Sequence, residues 1–329
     1  MHRRALLGSA LAVLASGCQT PPTADPVAPV PPPAPVPPPA PVALPDVQPA
    51  APEPPPPAAP PPPAPPPPPP KRPPTLGLAL GGGAARGFAH IGVIQVLEEA
   101  GLRADYIAGT SAGSLVAALY AQGRSGAELA SLALAMDEGA ITDWGLPGRG
   151  LIRGEALARY VRQHTGGRTI EQLARPLGIV ATDLDSGEAV LFRRGDPGQA
   201  VRASSAVPAV FQPVRIGTRE YVDGGLVAPV PVRFAREMGA EMVVAVDIST
   251  PPDGAPTDGM LRLLLQTFAI MGRSISQHEL AGADIVLRPA LVGVSAADFT
   301  NRVRAIRAGR EAAQAALPRI LARRAALMR

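Results

Sequence analysis

A serine stands between two glycines in Gly109-Thr110-Ser111-Ala112-Gly113, a spacing suited to nucleophilic chemistry. On a sharp turn between a strand and a helix, a hydroxyl is lifted clear of the sheet. Flanking glycines remove side chains that so tight a turn would crowd. The helix start also offers partial positive charge, which favours a developing oxyanion. Two other segments could complete such a site. Gly81-Gly82-Gly83-Ala84-Ala85-Arg86-Gly87 is a run of small residues whose backbone amides can converge at the start of a helix, as oxyanion stabilisation requires. Asp223, followed by Gly224 and Gly225, ends a strand candidate where another backbone can come close. A partly desolvated carboxylate touching Ser111 gains the basicity to take its proton. The plainer alternative makes Ser111 a helix cap and Ser114 a cap or packing residue.

Other chemistries fit less well. The histidines (His2, His90, His164 and His278) form no close ligand pair, and the single cysteine, Cys18, excludes an internal disulfide or a cysteine metal site. No metal and no cofactor is expected. Read as a dinucleotide loop from Gly81, the glycine run has Arg86 in the last glycine place; read from Gly82, it has Ala84 in the middle one. A phosphate-binding P-loop fails as well, because Phe88-Ala89 follows Gly87. Among the competing acids, Asp183 and Asp185 lie in a turn, and Asp247 ends a strand without glycines after it. His278 falls inside a predicted helix as a surface or packed residue.

The net charge is 31 − 27 = +4, and residues 301–329 hold eight arginines against Glu311. The remainder is near −3, which disfavours a nucleic-acid binder. Arg302, Arg304, Arg307, Arg310, Arg323 and Arg324 suit either docking on anionic lipid or a solvated helix face. Trp144 suits either an acyl chain or ordinary packing.

The elements that must position these residues alternate between strand and helix. Short apolar runs at 75–80, 104–108, 177–181, 189–192, 219–222, 243–248 and 284–287 predict strands. Helical spacing predicts helices over 88–100, after Gly113 through Ala121, over 261–280, and over the last 29 residues with a break near Pro318. The expectation is an α/β fold with a largely parallel sheet and an aliphatic core, since only 3% of residues are aromatic.

The leader reads differently. Of 43 prolines, 31 fall between Pro21 and Pro74, without hydrophobic periodicity. Such a chain favours polyproline II, so this segment could extend to roughly 170 Å as a tether. Arg3-Arg4 precedes an apolar run, 5–15, too short to span a bilayer, and Ala15-Ser16-Gly17-Cys18 follows. This resembles a bacterial lipoprotein signal, with Ala15 where Leu is usual. The resemblance implies a signal peptide over 1–17, a lipidated Cys18, a tether over 18–74 and a folded domain over 75–329. It also implies anchoring in a bacterial cell envelope, with Gln19 favouring an outer membrane and a periplasm-facing domain. An ordinary cleaved signal and a twin-arginine signal remain alternatives.

Taken in order, Gly-Gly-Gly-Ala-Ala-Arg-Gly (81–87), Gly-Thr-Ser-Ala-Gly (109–113) and Asp-Gly-Gly (223–225) resemble a patatin-like phospholipase domain, as does Ala203-Ser-Ser-Ala-Val-Pro-Ala-Val-Phe-Gln-Pro213. The resemblance covers roughly residues 76–247. It implies a lipid acyl hydrolase with a Ser-Asp dyad and no metal, acting on phospholipid or another lipid ester. Ser111 is then the nucleophile and Asp223 the base, with oxyanion amides from Gly82, Gly83 and Ala84. Arg86, Gly87, Gly109, Gly113, Gly224 and Gly225 are supporting motif positions. Ala84 replaces the middle glycine of the family's usual G-x-G-x-x-G loop but keeps the amide. Arg86 either attracts a phosphate head group or braces the loop. An acyltransferase on the same dyad and a non-catalytic lipid-binding envelope protein are the alternative functions.

Overall fold

Leucines alternate with small residues in Leu76-Gly-Leu-Ala-Leu80, and that alternation determines how the first strand packs. A computed structural model describes residues 71–144, 149–249, 257–294 and 299–329. The expected signal peptide, Cys18 and the tether up to residue 70 lie outside the described residues. The strands are β1 (Leu76–Leu80), β2 (Tyr106–Thr110), β3 (Gly150–Ile152), β4 (Leu177–Asp183), β5 (Ala189–Phe192), β6 (Ala209–Phe211), β7 (Val214–Ile216), β8 (Arg219–Asp223), β9 (Met242–Val246) and β10 (Ile285–Leu287). The helices are α1 (Phe88–Glu99), α2 (Ala112–Ala121), α3 (Gly126–Ala135), α4 (Glu155–His164), α5 (Pro197–Ser204), α6 (Val232–Glu237), α7 (Met260–Ala281) and α8 (Arg302–Ala326).

The main sheet runs β10-β9-β1-β2-β4-β8-β7, with β5 also paired to β4. The first five strands of that order are mutually parallel, while β8, β7 and β5 join antiparallel. This is the mixed α/β architecture expected. Leu76, Leu78 and Leu80 of β1 enter one core with Met242, Val244 and Val246 of β9 and the inner faces of α1, α2 and α8. Ala79, Val243 and Ala245 face the second core with α6. There β1 carries small residues because α6 and the turn after it come close: a Cβ on Gly77 would lie 3.3 Å from that of Ala235 and 2.5 Å from that of Ala240. Each large aliphatic side chain fully buried in the first core contributes about 1.5–3 kcal/mol.

Two boundaries differ from expectation for a local reason. The second strand begins at Tyr106 rather than Ala104, because the Asp105 carboxylate accepts from the Leu76 amide at 2.6 Å, ahead of the ladder. The ninth strand stops at Val246, where Asp247 and Ile248 turn toward the glycine loop. The C-terminal helix is a larger correction. It is continuous through Pro318, although proline forfeits one helical hydrogen bond and crowds the preceding turn, at a cost of about 3 kcal/mol. Ala313, Ala316 and Ile320, on both sides of the proline, are buried, and that packing holds the axis.

Candidate active site

Ser111 occupies the one-residue turn between β2 and α2, with φ 52° and ψ −125°. Positive φ is strained for a residue with a Cβ, and the neighbours explain why it persists. A Cβ on Gly109 would lie 2.7 Å from the Gly113 carbonyl oxygen, and one on Gly113 would collide with the Leu80 carbonyl. The Ser111 amide donates to Ser204 Oγ at 2.9 Å, and that hydroxyl donates to the Val180 carbonyl at 2.5 Å. Ser114 Oγ donates to the Ser111 carbonyl at 2.6 Å, a packing and capping role. Ser111 itself makes no side-chain cap bond to α2. Its Oγ donates to Asp223 Oδ2 at 2.7 Å.

Sheet register explains the meeting of residues so distant in sequence. β2 pairs with β4 so that Thr110 faces Val180, and β8 pairs with β4 so that Asp223 faces Ala181. The residue after Thr110 is therefore level with Asp223 across one strand. Thr182 Oγ1 donates to the Asp223 carbonyl at 2.8 Å, and the Asp223 amide donates to the Ala206 carbonyl at 3.0 Å. Gly224 has no side chain because a Cβ would run into the Val180 carbonyl. The Gly225 amide donates to Asp223 Oδ1 at 2.6 Å. Burial pushes the carboxyl up to about 6, against the Gly225 and Ser111 hydrogen bonds that favour the ion. The result is a carboxylate more basic than usual, holding the hydroxyl proton it would accept.

The glycine loop passes directly beside Ser111: a Cβ on Gly82 would stand 3.1 Å from the serine Cβ. One expected donor needs correction. The Gly82 amide donates to the Pro229 carbonyl at 2.9 Å, so it is committed to holding the loop rather than available to a substrate. Gly83 and Ala84 open the 3-10 turn at residues 84–87, where amides have no partner within the helix. Ala84 tolerates the turn at φ 49°. A Cβ on Gly87 would press on Ala112 Cβ at 2.9 Å, so that glycine lets the starts of α1 and α2 approach.

A side chain of α1 supports the loop from behind. His90 Nε2–H donates to the Gly81 carbonyl at 2.8 Å, and burial pulls the ring down to about 4, so it is neutral. Its histidine content gave no sign of this, although its place one turn into the helix after the glycine run was a usable signal. Ser204 and Thr182 were likewise unforeseen as supports. Arg86 is buried, which lowers its pKa, while the Asp247 charge opposes that shift. A cavity of about 760 Å³ is lined by Arg86, Asp247, Arg273, Ser276 and Arg288, but by neither Ser111 nor Asp223.

The other candidate acids lie apart from Ser111. Asp183 Oδ1 accepts from the Asp185 and Ser186 amides, and Oδ2 pairs with Arg219 at 2.7 Å. Asp247 pairs with Arg288 at 3.3 Å. His278 Nδ1–H donates to the Ser274 carbonyl on the exposed side of α7. Trp144 is exposed and bridges to Ile152. Among the described residues, no group of three or more His, Cys, Asp or Glu could hold a metal ion. Several α8 arginines are tied inward: Arg302 to the Met136 carbonyl, Arg304 to the Val292 carbonyl, Arg310 to Glu99 and Arg323 to Asp284.

The patatin-like phospholipase family model matches residues 78–236. An uncharacterized NTE family protein of Mycobacterium tuberculosis is 37% identical over 206 residues, covering 62% of this chain and 57% of the relative. Patatin-like phospholipase domain-containing protein 6 of Mus musculus is 33% identical over 184 residues, covering 54% of this chain and 14% of the relative. The chain thus spans little more than half of that mycobacterial relative and a small part of the mouse protein. VipD from Legionella pneumophila has a similar fold, with a TM-score of 0.51 at 14% identity over 74% of this chain and 66% of that one.

Proposed function

This chain belongs to the patatin-like phospholipase family through residues 78–236, and from that premise we propose that it is a serine lipid acyl hydrolase using a Ser111–Asp223 dyad. The observation that carries the proposal is the 2.7 Å hydrogen bond from Ser111 Oγ to Asp223 Oδ2. Asp223 takes the proton as Oγ attacks an ester carbonyl, forming a tetrahedral intermediate at the carbonyl carbon. The Gly83 and Ala84 amides stabilise its oxyanion. Collapse expels the alcohol, which receives the proton from Asp223 and leaves an acyl group on Ser111. Water, deprotonated by the same carboxylate, then attacks the acyl carbonyl, and the fatty acid leaves as Ser111 Oγ takes that proton back from Asp223. Arg86, buried in the turn of the loop, feels the charge of Asp247. The substrate class is phospholipid or another lipid ester.

The leader extends this reading to location. Signal peptide 1–17, a lipidated Cys18 and tether 18–74 hold the domain at the bacterial envelope, facing the periplasm from an outer membrane. Labelled fatty acid should be incorporated into the wild-type chain and not into Cys18→Ser; incorporation into both would remove the anchor.

The first test is intact-mass analysis after fluorophosphonate treatment. One adduct is expected on the wild type and none on Ser111→Ala. Absence of an adduct on folded wild type, with and without lipid, would sink the dyad mechanism.

A further inference from the structure

The N-terminal half of α7 is apolar on the side that faces away from the protein. At 3.6 residues per turn, Met260, Leu263, Ile270 and Met271 fall on one stripe, and they are 88%, 57%, 54% and 49% exposed. Ser276, Glu279 and Leu280, buried in the C-terminal half, point the opposite way. Leu264 and Phe268, off this stripe, are half-buried, so the outward stripe is apolar surface beyond what the helix packs, and Glu279 pairs with Arg233 at the buried end. Contiguous exposed apolar surface of this kind marks an interaction site.

From this we infer that α7 is an interfacial docking helix, whose Met260–Met271 stripe beds into the surface of a lipid bilayer and delivers lipid to the edge of the site. The inference rests on the lipid hydrolase reading above.

Two observations select a lipid surface as the occupant. The first is charge: Arg273, on the flank of α7, lines the 760 Å³ cavity with Arg86 and Arg288, and among the described residues that line it the acid is Asp247, paired to Arg288. A cationic recess beside an apolar stripe suits phosphate groups above acyl chains. Val292, 83% exposed and lining the same cavity, extends the apolar surface next to those arginines. The second observation is continuity with the site. α7 packs on the 3-10 turn Gly224–Leu226 immediately after Asp223. A Cβ on Gly272 would touch the Pro229 ring at 3.7 Å, and the Pro229 carbonyl holds Gly82.

The test uses the full chain with Cys18→Ser, so that no acyl anchor contributes, and sedimentation with vesicles of phosphatidylcholine alone or mixed with phosphatidylglycerol. Leu263→Glu with Ile270→Glu should reduce vesicle partitioning by about tenfold per side chain, on the order of a hundredfold together. Arg273→Gln should weaken partitioning only on the anionic vesicles. Equal partitioning of parent and double variant overturns the inference, as does no partitioning by the parent on either vesicle. It is equally overturned if the parent self-associates, the double variant is monomeric, and vesicle partitioning is unchanged. Fluorophosphonate labelling of Ser111, read in parallel without lipid, should be the same in parent and double variant. Loss of labelling in the parent with partitioning intact would count against the hydrolase reading and leave the docking helix in place.

Discussion

Asp223 and His90 are both buried, and burial shifts them in opposite directions. Asp223 rises from 3.8 to about 6, whereas His90 falls from 6.5 to about 4. As a base, Asp223 must be ionised, so kcat/KM on a soluble ester should rise with pH and reach half its plateau near 6. A flat profile from pH 5 to 8 would count against this carboxylate as the base. Stability follows the linkage signs. The native state holds the Asp223 proton more tightly than the unfolded chain, so this group's contribution falls as pH rises from 3.8 to about 6. His90 binds its proton more tightly when unfolded, so its contribution increases from about pH 4 to 6.5. The two slopes largely offset. Asp223→Asn, which can still accept from Gly225 and meet Ser111, removes one of them. It should be more stable than the wild type at pH 7 by about 3 kcal/mol, with the difference vanishing below pH 4. Denaturant titrations across that range measure it; equal stability at pH 7 would contradict a raised carboxyl. The roles of single residues were unevenly legible. Ser111 is readable because its chemistry depends on neighbours in sequence. The commitment of the Gly82 amide depends on Pro229, far along the chain, and local sequence carries no trace of it.

Among the elements, α1 carries the glycine loop at its start and is held by α8. The two helices cross where Gly92 and Gly309 let backbone meet backbone: a Cβ on Gly92 would strike the Ile306 carbonyl, and one on Gly309 the Ala89 carbonyl. Gly309→Ala should therefore lower stability by about 1–3 kcal/mol, despite alanine's better helix propensity. Ala315→Ser, on the exposed side of α8, should stay within about 0.5 kcal/mol. Thermal unfolding of the two variants decides; a stabilised Gly309→Ala would mean the helices are not in close contact. Strand and helix identity was legible for most elements, because runs such as 243–248 and the spacing in 88–100 report burial directly. The continuity of α8 was not, since Pro318 is a local breaker and what overrides it is packing by Ala313, Ala316 and Ile320. The outward polarity of α7 was equally hidden: periodicity locates an apolar stripe without saying which side the protein covers.

For the molecule as a whole, Glu241 ties together segments from opposite ends of the described region. Its carboxylate accepts both Arg72 guanidinium nitrogens at 2.8 Å, the Thr75 amide at 3.0 Å and Arg329 at 3.1 Å. The Arg72 hydrogen bonds, first among these, hold it down at about 2. Arg72 and Arg329 also exchange backbone hydrogen bonds. A depressed carboxyl contributes above its unfolded value of 4.5 and loses that contribution as pH falls toward 2. Glu241→Gln should therefore open residues 71–75 to limited proteolysis at neutral pH, while wild type becomes comparably sensitive only in strong acid. Equal cleavage rates at neutral pH would dismiss the clasp.

That clasp sits at the N-terminal end of β1, whereas Ser111 stands at the opposite, C-terminal edge of the sheet. β1 is bonded on both sides by parallel partners, β2 and β9. Were the site held to a surface while the proline-rich segment drew taut, the tension would run along the axis of β1. It would load both ladders in shear, where the hydrogen bonds must fail together rather than unzip one by one. The chain thus enters its domain on a strand that two parallel ladders hold at once.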